Sequence, residues 1–216
     1  VLGAGLAVSA EGLYRNLLKV PGLEVQTVAE LQIRLAAALI AQRRFAAARS
    51  VLEAVAEAQQ TDRYDLLLAV TAYGNGRKVD VDTFMAALDR VSADGLTPQD
   101  LPWLHLLEGL RAELLGQSAQ VEPAFKQARA AAVSAAQRAF LDSLILREKI
   151  FKAPVDETLA IDLRLQLDRL SGTAAAYPYV REYAIILYNQ GRTEEAIEMI
   201  SRELANVYSG YGNYER

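Results

Sequence analysis

The stretch YVREYAIILYNQGRTEEAIEMISREL, residues 179–204, carries the clearest fold signal in the sequence. Small or apolar residues recur at helical spacing before and after its central glycine, as at Ala184, Leu187 and Ala196. Gly191 accepts the left-handed backbone that ends many helices, and the two glutamates that soon follow it suit the first turn of another helix. This stretch therefore predicts two antiparallel helices joined by a tight turn.

The same pattern recurs along the chain. Further copies occupy residues 32–55, 64–88, 103–128 and 139–164, the last of them weaker. Each copy has a turn point between its two apolar segments, and successive turn points are 33 to 40 residues apart. The turn points are Arg43, Gly76, Gly116, Lys152 and Gly191. A period of this length predicts an array of helical hairpins, and its unequal spacing is typical of a diverged array.

The predicted architecture is all-α, an α-solenoid of about five antiparallel helix hairpins preceded by an N-terminal helix. Alanine and leucine dominate the sequence, and both residues lose little side-chain entropy in a helix. We expect one solenoid over residues 11–208, followed by a Tyr/Gly-rich tail at residues 209–216. The hairpins are expected at residues 25–59, 62–92, 101–132, 136–170 and 176–207.

Composition limits the class of protein and its partners. The chain has 216 residues, 52% of them apolar, and a net charge of −4, so it can bury a sizeable core. The sequence contains no run of Lys or Arg that offers a strip of phosphate contacts, which argues against a nucleic-acid partner. Its apolar stretches are shorter than the roughly 18 residues of a membrane-spanning helix. It also lacks cysteine, which excludes disulfides and thiolate chemistry.

Residues 1–10, VLGAGLAVSA, are small and apolar. The run Val8, Ser9 and Ala10 resembles the small-x-small cleavage site at the end of a secretory signal peptide. This pattern favours a periplasmic or otherwise exported protein in an envelope-associated assembly of bacterial type. The alternative is that these residues begin an N-terminal helix and that the protein is cytoplasmic.

Residues suited to catalysis or metal binding are sparse. His105 is the only histidine, so neither a metal site nor a proton relay can be completed around it. Asp80 and Asp82 lie where a helix begins, and we expect Asp82 with Thr83 to cap that helix rather than to bind a cation. The sequence lacks the Gly-x-Ser-x-Gly elbow of many hydrolases. It therefore predicts no enzyme activity, no cofactor and no metal ion.

Four pairs of residues on successive helices carry a family resemblance. The pairs are Ala36 with Ala48, Ala69 with Val81, Gly109 with Val121, and Ala184 with Ala196. In these pairs and in its period the chain resembles the tetratricopeptide repeat family over residues 25–206, with valine replacing alanine in two of them. The resemblance implies a right-handed superhelix in which a small residue on the first helix of each hairpin lets the second helix approach closely.

In such a solenoid the first helices line a concave wall. The inward positions are mostly apolar, which is typical of a groove that binds a helix or an extended peptide. Trp103, the only tryptophan, has the character of an anchor. The predicted partner-binding residues are Ile33, Ala37, Ile40, Arg63, Leu66, Tyr73, Trp103, Leu106, Leu110, Lys149, Glu182 and Tyr188. The alternative is that they pack between neighbouring hairpins or under the N-terminal helix and leave the groove closed.

These features predict a non-catalytic scaffold that binds a peptide or helix of a partner protein. One alternative is a structural or regulatory segment of a larger multidomain protein, with its groove filled by its own chain; a remote one is an all-α hydrolase. Seven of the ten tyrosines follow residue 176. Tyrosine offers contact area at low entropic cost, so we expect this end to dock further repeats, a second subunit or a partner, or to form a helix–helix seam.

Overall fold

The computed structural model describes residues 4–74, 79–152, 157–171 and 176–211. Over these ranges the chain forms eleven α-helices and two short 3-10 helices and contains no strand, which confirms the all-α prediction. The first five α-helices are α1 (Ala4–Leu17), α2 (Val25–Ala41), α3 (Phe45–Glu53), α4 (Asp62–Gly74) and α5 (Val81–Arg90). The others are α6 (Leu101–Leu114), α7 (Ser118–Ala131), α8 (Ala135–Lys152), α9 (Glu157–Leu170), α10 (Tyr177–Asn189) and α11 (Thr193–Tyr211). The 3-10 helices are Glu57–Gln59 and Ala93–Gly95.

Many of the helices that are neighbours in the sequence pack against each other. α1 contacts α2, α2 contacts α3, and the pairs α4–α5, α6–α7 and α10–α11 are likewise in contact. In addition, α3 contacts α4, and α10 contacts both α8 and α9. Packing between neighbours is what a helical repeat array requires. The handedness of the superhelix and the number of repeats stay predictions.

The helices form two compact units, Val1–Ala131 and Ala132–Arg216. The sequence predicted one solenoid over residues 11–208 and gave no signal of a boundary at this point. In the first unit, a buried cluster joins side chains of α2, α3 and α4. In the second unit, another cluster joins side chains of α8, α9, α10 and α11. Each unit therefore has a hydrophobic core of its own.

Small residues bring α2 and α3 together in the first unit. Ala36 and Ala48 have no exposed surface and lie in one buried cluster with Leu39 and Leu52. A side chain that ends at Cβ lets two helices approach, and the leucines fill the space beside the contact. The pair Ala36 and Ala48, which the sequence singled out, thus lies in the core.

α7 packs against Gly109 of α6. A Cβ on Gly109 would lie 2.4 Å from the Phe125 ring and 3.4 Å from the Ala124 Cβ. Phe125 is only 3% exposed, so its ring fills the space that a side chain on Gly109 would need. The sequence paired Gly109 with Val121. The structure corrects this partner to Phe125, one helical turn further along α7.

The contact between α4 and α5 is shifted in the same way. Ala69 is fully buried, but its predicted partner Val81 is 43% exposed at the start of α5. The α5 residues that enter the core are Phe84, Ala87 and Leu88, and the Phe84 ring centroid lies 5.5 Å from that of Tyr73. The buried face of α5 therefore begins one turn after the predicted valine.

The residue that caps α5 is Asp80 rather than Asp82. The Asp80 carboxylate accepts a hydrogen bond from the backbone N–H of Thr83 at 3.3 Å, which satisfies a donor at the helix start. Arg49 Nη1 lies 2.7 Å from the other Asp80 oxygen. The Arg49 hydrogen bond, followed by those from Thr83, lowers the pKa of Asp80. The cap also ties α5 to α3, which carries Arg49.

α1 is packed into the first unit through its second and third turns. Ala7 has no exposed surface, and Gln42 Nε2 donates to the Ala7 carbonyl at 3.3 Å and to Glu11 Oε2 at 2.8 Å. Arg44 Nη1 lies 2.7 and 2.8 Å from the two Glu11 oxygens. The hydrogen bond from Gln42, with that from Arg44, outweighs burial and lowers the pKa of Glu11. Residues 4–10 are thus the first turns of a packed helix.

Three of the predicted turn points have a left-handed backbone. The φ angle is 60° at Arg43, 70° at Gly116 and 77° at Gly191. Glycine adopts this conformation without steric cost, whereas arginine does not. Gly76 lies outside the described residues, as do residues 153–156 of the turn predicted after Lys152. The hairpin turns at 43, 116 and 191 are confirmed.

Candidate functional site

Four of the predicted partner-binding residues of the first unit have buried side chains. Ile33 is 6% exposed, and it belongs to the cluster that joins α2, α3 and α4. Leu66 on α4 is 1% exposed, and Leu106 and Leu110 on α6 are 3% and 4% exposed. Side chains with so little surface offer nothing to a partner in this conformation. Their burial agrees with the alternative that these residues pack between helices.

The other five predicted residues of the first unit are partly exposed, and packing covers part of each. Ala37 and Ile40 lie against the cluster that joins α2, α3 and α4. Tyr73 packs on the Phe84 ring, and Arg63 Nε is 3.5 Å from Asp100 Oδ2. The fifth is Trp103, half-buried on α6. A role for these residues in partner binding stays a prediction.

The three predicted residues of the second unit lie in three different settings. Lys149 is exposed near the end of α8. Glu182 on α10 is fully buried, and its Oε1 accepts from Arg181 Nε at 2.7 Å, while Oε2 has no hydrogen-bond partner among the described residues. Tyr188, two turns further along α10, is 67% exposed. Of these three, Tyr188 is the one that offers a large aromatic surface to a partner.

An apolar groove runs between α10 and α11, and Tyr188 lies in its wall. The groove has a volume of about 450 Å³. We call it the α10–α11 groove. Its lining residues are Val180, Arg181, Ala184, Ile185, Tyr188, Thr193, Ala196, Ile197, Ile200 and Glu203.

Large apolar side chains stand on both sides of the groove, and small ones form its floor. On α10, Ile185 is 37% and Tyr188 67% exposed; on α11, Ile197 is 60% exposed. Ala184 and Ala196 lie between them and are 8% and 5% exposed, so the two helices approach closely there. Apolar surface gathered in one place marks a binding site more often than scattered exposed residues do.

The face of α11 that is turned away from the groove is acidic. Glu194 and Glu198 are exposed and one turn apart, and helical spacing places Glu198 about 160° around α11 from Ile200, which lines the groove. Neither has an ion pair among the described residues. Glu195, in contrast, is 2.6 Å from Arg192, whose hydrogen bond lowers the pKa of Glu195. The charged residues that do line the groove are Arg181 and Glu203.

Of the residues that line the groove, the predicted partner-binding residues include Tyr188 on α10 and none on α11. Partner contacts were expected on the first helix of each hairpin, so Ile197 was not singled out. A signal was present: Ile197 and Ile200 lie three residues apart in a helix whose buried apolar residues, among those described, are Ala196 and Met199. Two isoleucines beside the buried positions widen the apolar stripe beyond what one core contact needs.

A second, polar hollow lies between α6 and α7 in the first unit, with a volume of about 350 Å³. Arg111, which lines it, is 3.0 Å from Asp89 Oδ1. Its lining residues are Glu108, Arg111, Ala112, Gln117, Ala119, Gln120, Pro123, Ala124 and Gln127. This hollow lacks the large aliphatic side chains of the α10–α11 groove.

His105 and Asp80, whose side-chain types are common in catalytic sites, make structural contacts. His105 Nδ1 is 3.0 Å from Glu108 Oε2 on the same helix. Asp80 caps α5, as described above. Among the described residues, no three His, Cys, Asp or Glu side chains cluster as they would around a metal ion. In the same part of the chain, no helix is long and apolar enough to cross a membrane.

Comparison of the chain with protein-family profiles, with curated proteins and with solved structures gives no match.

Proposed function

We propose that this chain is a non-catalytic scaffold that binds an apolar helix or peptide of a partner protein in the α10–α11 groove. The observation that carries the proposal is the row of large, exposed apolar side chains along a groove with a small-residue floor. A groove with apolar walls is the usual receptor for the apolar face of an amphipathic helix.

Burial of the groove by a partner would contribute a favourable but modest binding free energy. Full burial of one isoleucine side chain contributes about 1.5 to 3 kcal/mol, and Ile185, Ile197 and Ile200 already have part of their surface covered. Tyr188 adds an aromatic ring with a polar tip, the kind of residue enriched at binding hot spots. Association itself costs about 4 to 15 kcal/mol, so we expect a reversible complex rather than a permanent one.

The proposal includes the architecture that the sequence predicted. We take the helices to form a right-handed, tetratricopeptide-like array of hairpins, with α10 and α11 as one of them. In such an array each hairpin buries one face against the next. The exposed face of α10 and α11 is then the surface on which a helix from a partner would continue the array.

Site-specific photocrosslinking tests the proposal. Tyr188 is replaced by benzoylphenylalanine, and the full chain is irradiated in the cells that make it. The matched control carries the same group at Gln120, an exposed residue in the polar hollow between α6 and α7. We expect a discrete protein adduct from position 188 that is lost with Ile197→Glu, and none from position 120.

The outcome that contradicts the proposal is equally direct. If neither position gives an adduct, or both give the same ones, the α10–α11 groove is not a selective protein site. Circular dichroism of the Ile197→Glu variant shows whether the helices survive. Because Ile197 is 60% exposed, we expect them to.

A further inference from the structure

We propose that α1 is a hinged strap that opens away from α2 while the rest of the first unit stays folded, and that its opening uncovers an apolar face of α2. Glu11, Gln42 and Arg44 form the latch that holds the strap closed. The inference concerns the first unit alone and goes beyond the proposed function, because the α10–α11 groove takes no part in it. It is carried by the shallow burial of α1, its polar attachment at one point, and glycines that packing does not require.

α1 buries little apolar surface against the rest of the unit. Among its described side chains, Ala7 is the one apolar residue that is fully buried, and it contributes a single methyl group. Tyr14 is partly buried, while Leu13 and Leu17 are 56% and 39% exposed. α2, in contrast, buries six residues, three of which are leucine or isoleucine. Because hydrophobic stabilisation grows with the apolar area removed from water, α1 is held less firmly than α2.

Short polar contacts converge on one side chain of α1, Glu11. From the turn between α2 and α3, Gln42 Nε2 and Arg44 Nη1 approach its carboxylate to 2.8 and 2.7 Å. Glu11 is 7% exposed, so water competes little for these bonds, and hydrogen bonds to an ionised group are stronger than neutral ones. The three residues therefore act as one latch near the middle of α1. Without the latch, α1 depends largely on its shallow apolar packing.

Gly12, the residue after the latch, weakens α1 without serving its packing. A Cβ at Gly12 would have no atom within 4 Å, whereas a Cβ at Gly109 would lie 2.4 Å from the Phe125 ring. Glycine inside a helix lowers the equilibrium constant for helix formation about fivefold relative to alanine. A close approach explains the glycine of α6, and no such contact explains Gly12. We therefore expect α1 to open at a lower free energy than the helices around it.

The connection between α1 and α2 contains a residue suited to act as a hinge. Gly22 has a φ of 77°, and a Cβ at this position would have no atom within 4 Å. Glycine moves between left-handed and right-handed backbone at little cost, and no packed side chain at Gly22 resists the change. Hinges consist of a few loop residues that absorb such changes. α1 is therefore able to swing about Gly22 while α2 stays in place.

The face of α2 that α1 covers is apolar. Gln42, which contacts α1, lies four residues after Ala38 and seven after Leu35, so helical spacing places all three on one side of α2. Ala38 has no exposed surface, and Leu35 is 4% exposed. Leu31 and Val28 continue the row toward the start of α2 and are half-buried. An open α1 would expose this row, so the strap controls access to an apolar surface.

Thiol labelling of the full chain tests the inference, because the sequence contains no cysteine and a single introduced thiol reports on its own position. Ala38→Cys places the thiol beneath α1. The matched control Ala36→Cys places it in the cluster that joins α2, α3 and α4, and both alanines are fully buried. Without denaturant, we expect position 38 to react at least about tenfold faster than position 36. Equal rates, corrected for the urea stability of each variant, would show that α1 opens only when the unit unfolds, and would overturn the inference.

Second substitutions in the Ala38→Cys chain show what controls the opening. Gly12→Ala strengthens α1 and should slow labelling about fivefold, whereas Glu11→Gln weakens the latch and should speed it about tenfold. Leu88→Ala, which alters a buried residue of α5, is the matched control. It destabilises the unit but leaves the contacts of α1 intact, so labelling at position 38 should not change. If Leu88→Ala speeds labelling at position 38 as much as at position 36, opening of α1 is part of global unfolding and the inference is wrong.

Native-state hydrogen exchange of the unaltered chain gives a readout without introduced thiols. Backbone amides of α1 should exchange faster than those of α2, and their exchange should depend less on urea, because the opening of one helix exposes little surface. The same rates and the same urea dependence in both helices would overturn the inference. If Ala36→Cys fails to fold, Ala72→Cys at a fully buried alanine of α4 supplies the slow reference rate for the labelling.

The two measurements together distinguish a strap from a helix that frays in place. Rapid amide exchange in α1 with a slow thiol at position 38 would mean that α1 loses its hydrogen bonds while it still covers α2, and that outcome overturns the strap. Rapid exchange with a fast thiol, slowed by Gly12→Ala and accelerated by Glu11→Gln, is the expected result. None of these outcomes depends on what binds the α10–α11 groove, which the crosslinking at position 188 tests separately.

Discussion

The hairpins α6–α7 and α10–α11 are built alike and differ in what they leave exposed. In both, a small residue of the first helix faces the second, Gly109 in one and Ala184 in the other. The hollow of α6–α7 is lined by glutamine, alanine and charged residues, whereas the α10–α11 groove is lined by isoleucine and tyrosine. The small residue stabilises the hairpin in both cases, and the outer faces of the two hairpins differ in the apolar surface that they expose.

This difference indicates that the residues that stabilise the fold and those of the proposed binding surface occupy separate positions. Phe125 closes α7 onto α6 and is 3% exposed, while Ile197 on α11 is 60% exposed. Both are large apolar residues in the second helix of a hairpin. Phe125 stabilises its hairpin, whereas Ile197 exposes apolar surface that the second unit does not bury. Mutations should therefore separate the two roles cleanly.

The largest effect is expected from Phe125→Ala. Removal of a buried ring beside a glycine leaves a cavity that the neighbouring helix cannot fill, at a cost of about 3 to 5 kcal/mol. Urea unfolding followed by the fluorescence of Trp103, the only tryptophan and a residue of α6, measures this loss. Ile197→Ala is the comparison variant: it should cost less than about 1 kcal/mol and still weaken binding at the groove. Equal costs would show that Ile197 is core.

The close approach at Gly109 is tested by Gly109→Ala. The added Cβ would lie 2.4 Å from the Phe125 ring, which must move, and overpacking of this kind costs about 1 to 3 kcal/mol. The control is Gly12→Ala in α1, where no atom lies within 4 Å of the new Cβ. There the better helix propensity of alanine should stabilise the chain by up to about 1 kcal/mol. The same sign for both variants would contradict the structure.

These contrasts also show how far the sequence could predict the fold. Helical spacing and turn residues are local, so the periodic pattern located the hairpin turns at Gly116 and Gly191. Which residue of the second helix fills the space beside a small residue is not local. Phe125, whose ring lies against Gly109, and Phe84, whose ring lies against that of Tyr73, are buried, whereas the predicted Val121 and Val81 are not.

The exposed apolar surface was harder to predict than the turns, because burial depends on which helices pack together. Leu106 and Leu110 were predicted on an open wall and are buried, while Ile197 was overlooked and is exposed. All three are aliphatic residues at helical spacing, so the pattern alone does not distinguish them. Tyr188 was placed in the candidate site by its position on a first helix, and it does line the groove.

Ion pairs extend the comparison to electrostatics. Glu11 is 7% exposed and bonded to Gln42 and Arg44, whereas Glu195 pairs with Arg192 on the surface. Hydrogen bonds to a buried charged group contribute more than an exposed ion pair. We therefore expect Glu11→Gln to cost about 1 to 2 kcal/mol. Glu195→Gln should have a negligible effect on stability.

The cost of Glu11→Gln should depend on pH. The pKa of Glu11 is lowered in the folded chain, so its ionised form contributes stability above the pKa of the unfolded chain, about 4.3, and that contribution is lost as pH falls through the lower folded value. Urea unfolding at pH 7 and near pH 3 should show a difference between wild type and variant that shrinks in acid. A difference that grows in acid would contradict the assignment.

The smallest expected effect concerns the turns of the hairpins α2–α3 and α10–α11. In the turn between α2 and α3, Arg43 has a φ of 60°. At the equivalent position of the turn between α10 and α11, Gly191 has a φ of 77°. A non-glycine residue in this region is strained by about 1 to 2 kcal/mol, and glycine removes the strain while adding freedom to the unfolded chain. Arg43→Gly should therefore stabilise the first unit by about 0.5 kcal/mol.

The reverse change should destabilise the other hairpin. Gly191→Ala introduces the same strain and should cost about 1 kcal/mol, although no atom lies within 4 Å of the new Cβ. Thermal unfolding by circular dichroism compares both variants with the unaltered chain. If both changes destabilise, the Arg43 side chain makes contacts worth more than its backbone strain. If Gly191→Ala is neutral, the hairpin that carries the groove tolerates a different turn, and the two hairpins differ in their turns as well as in their outer faces.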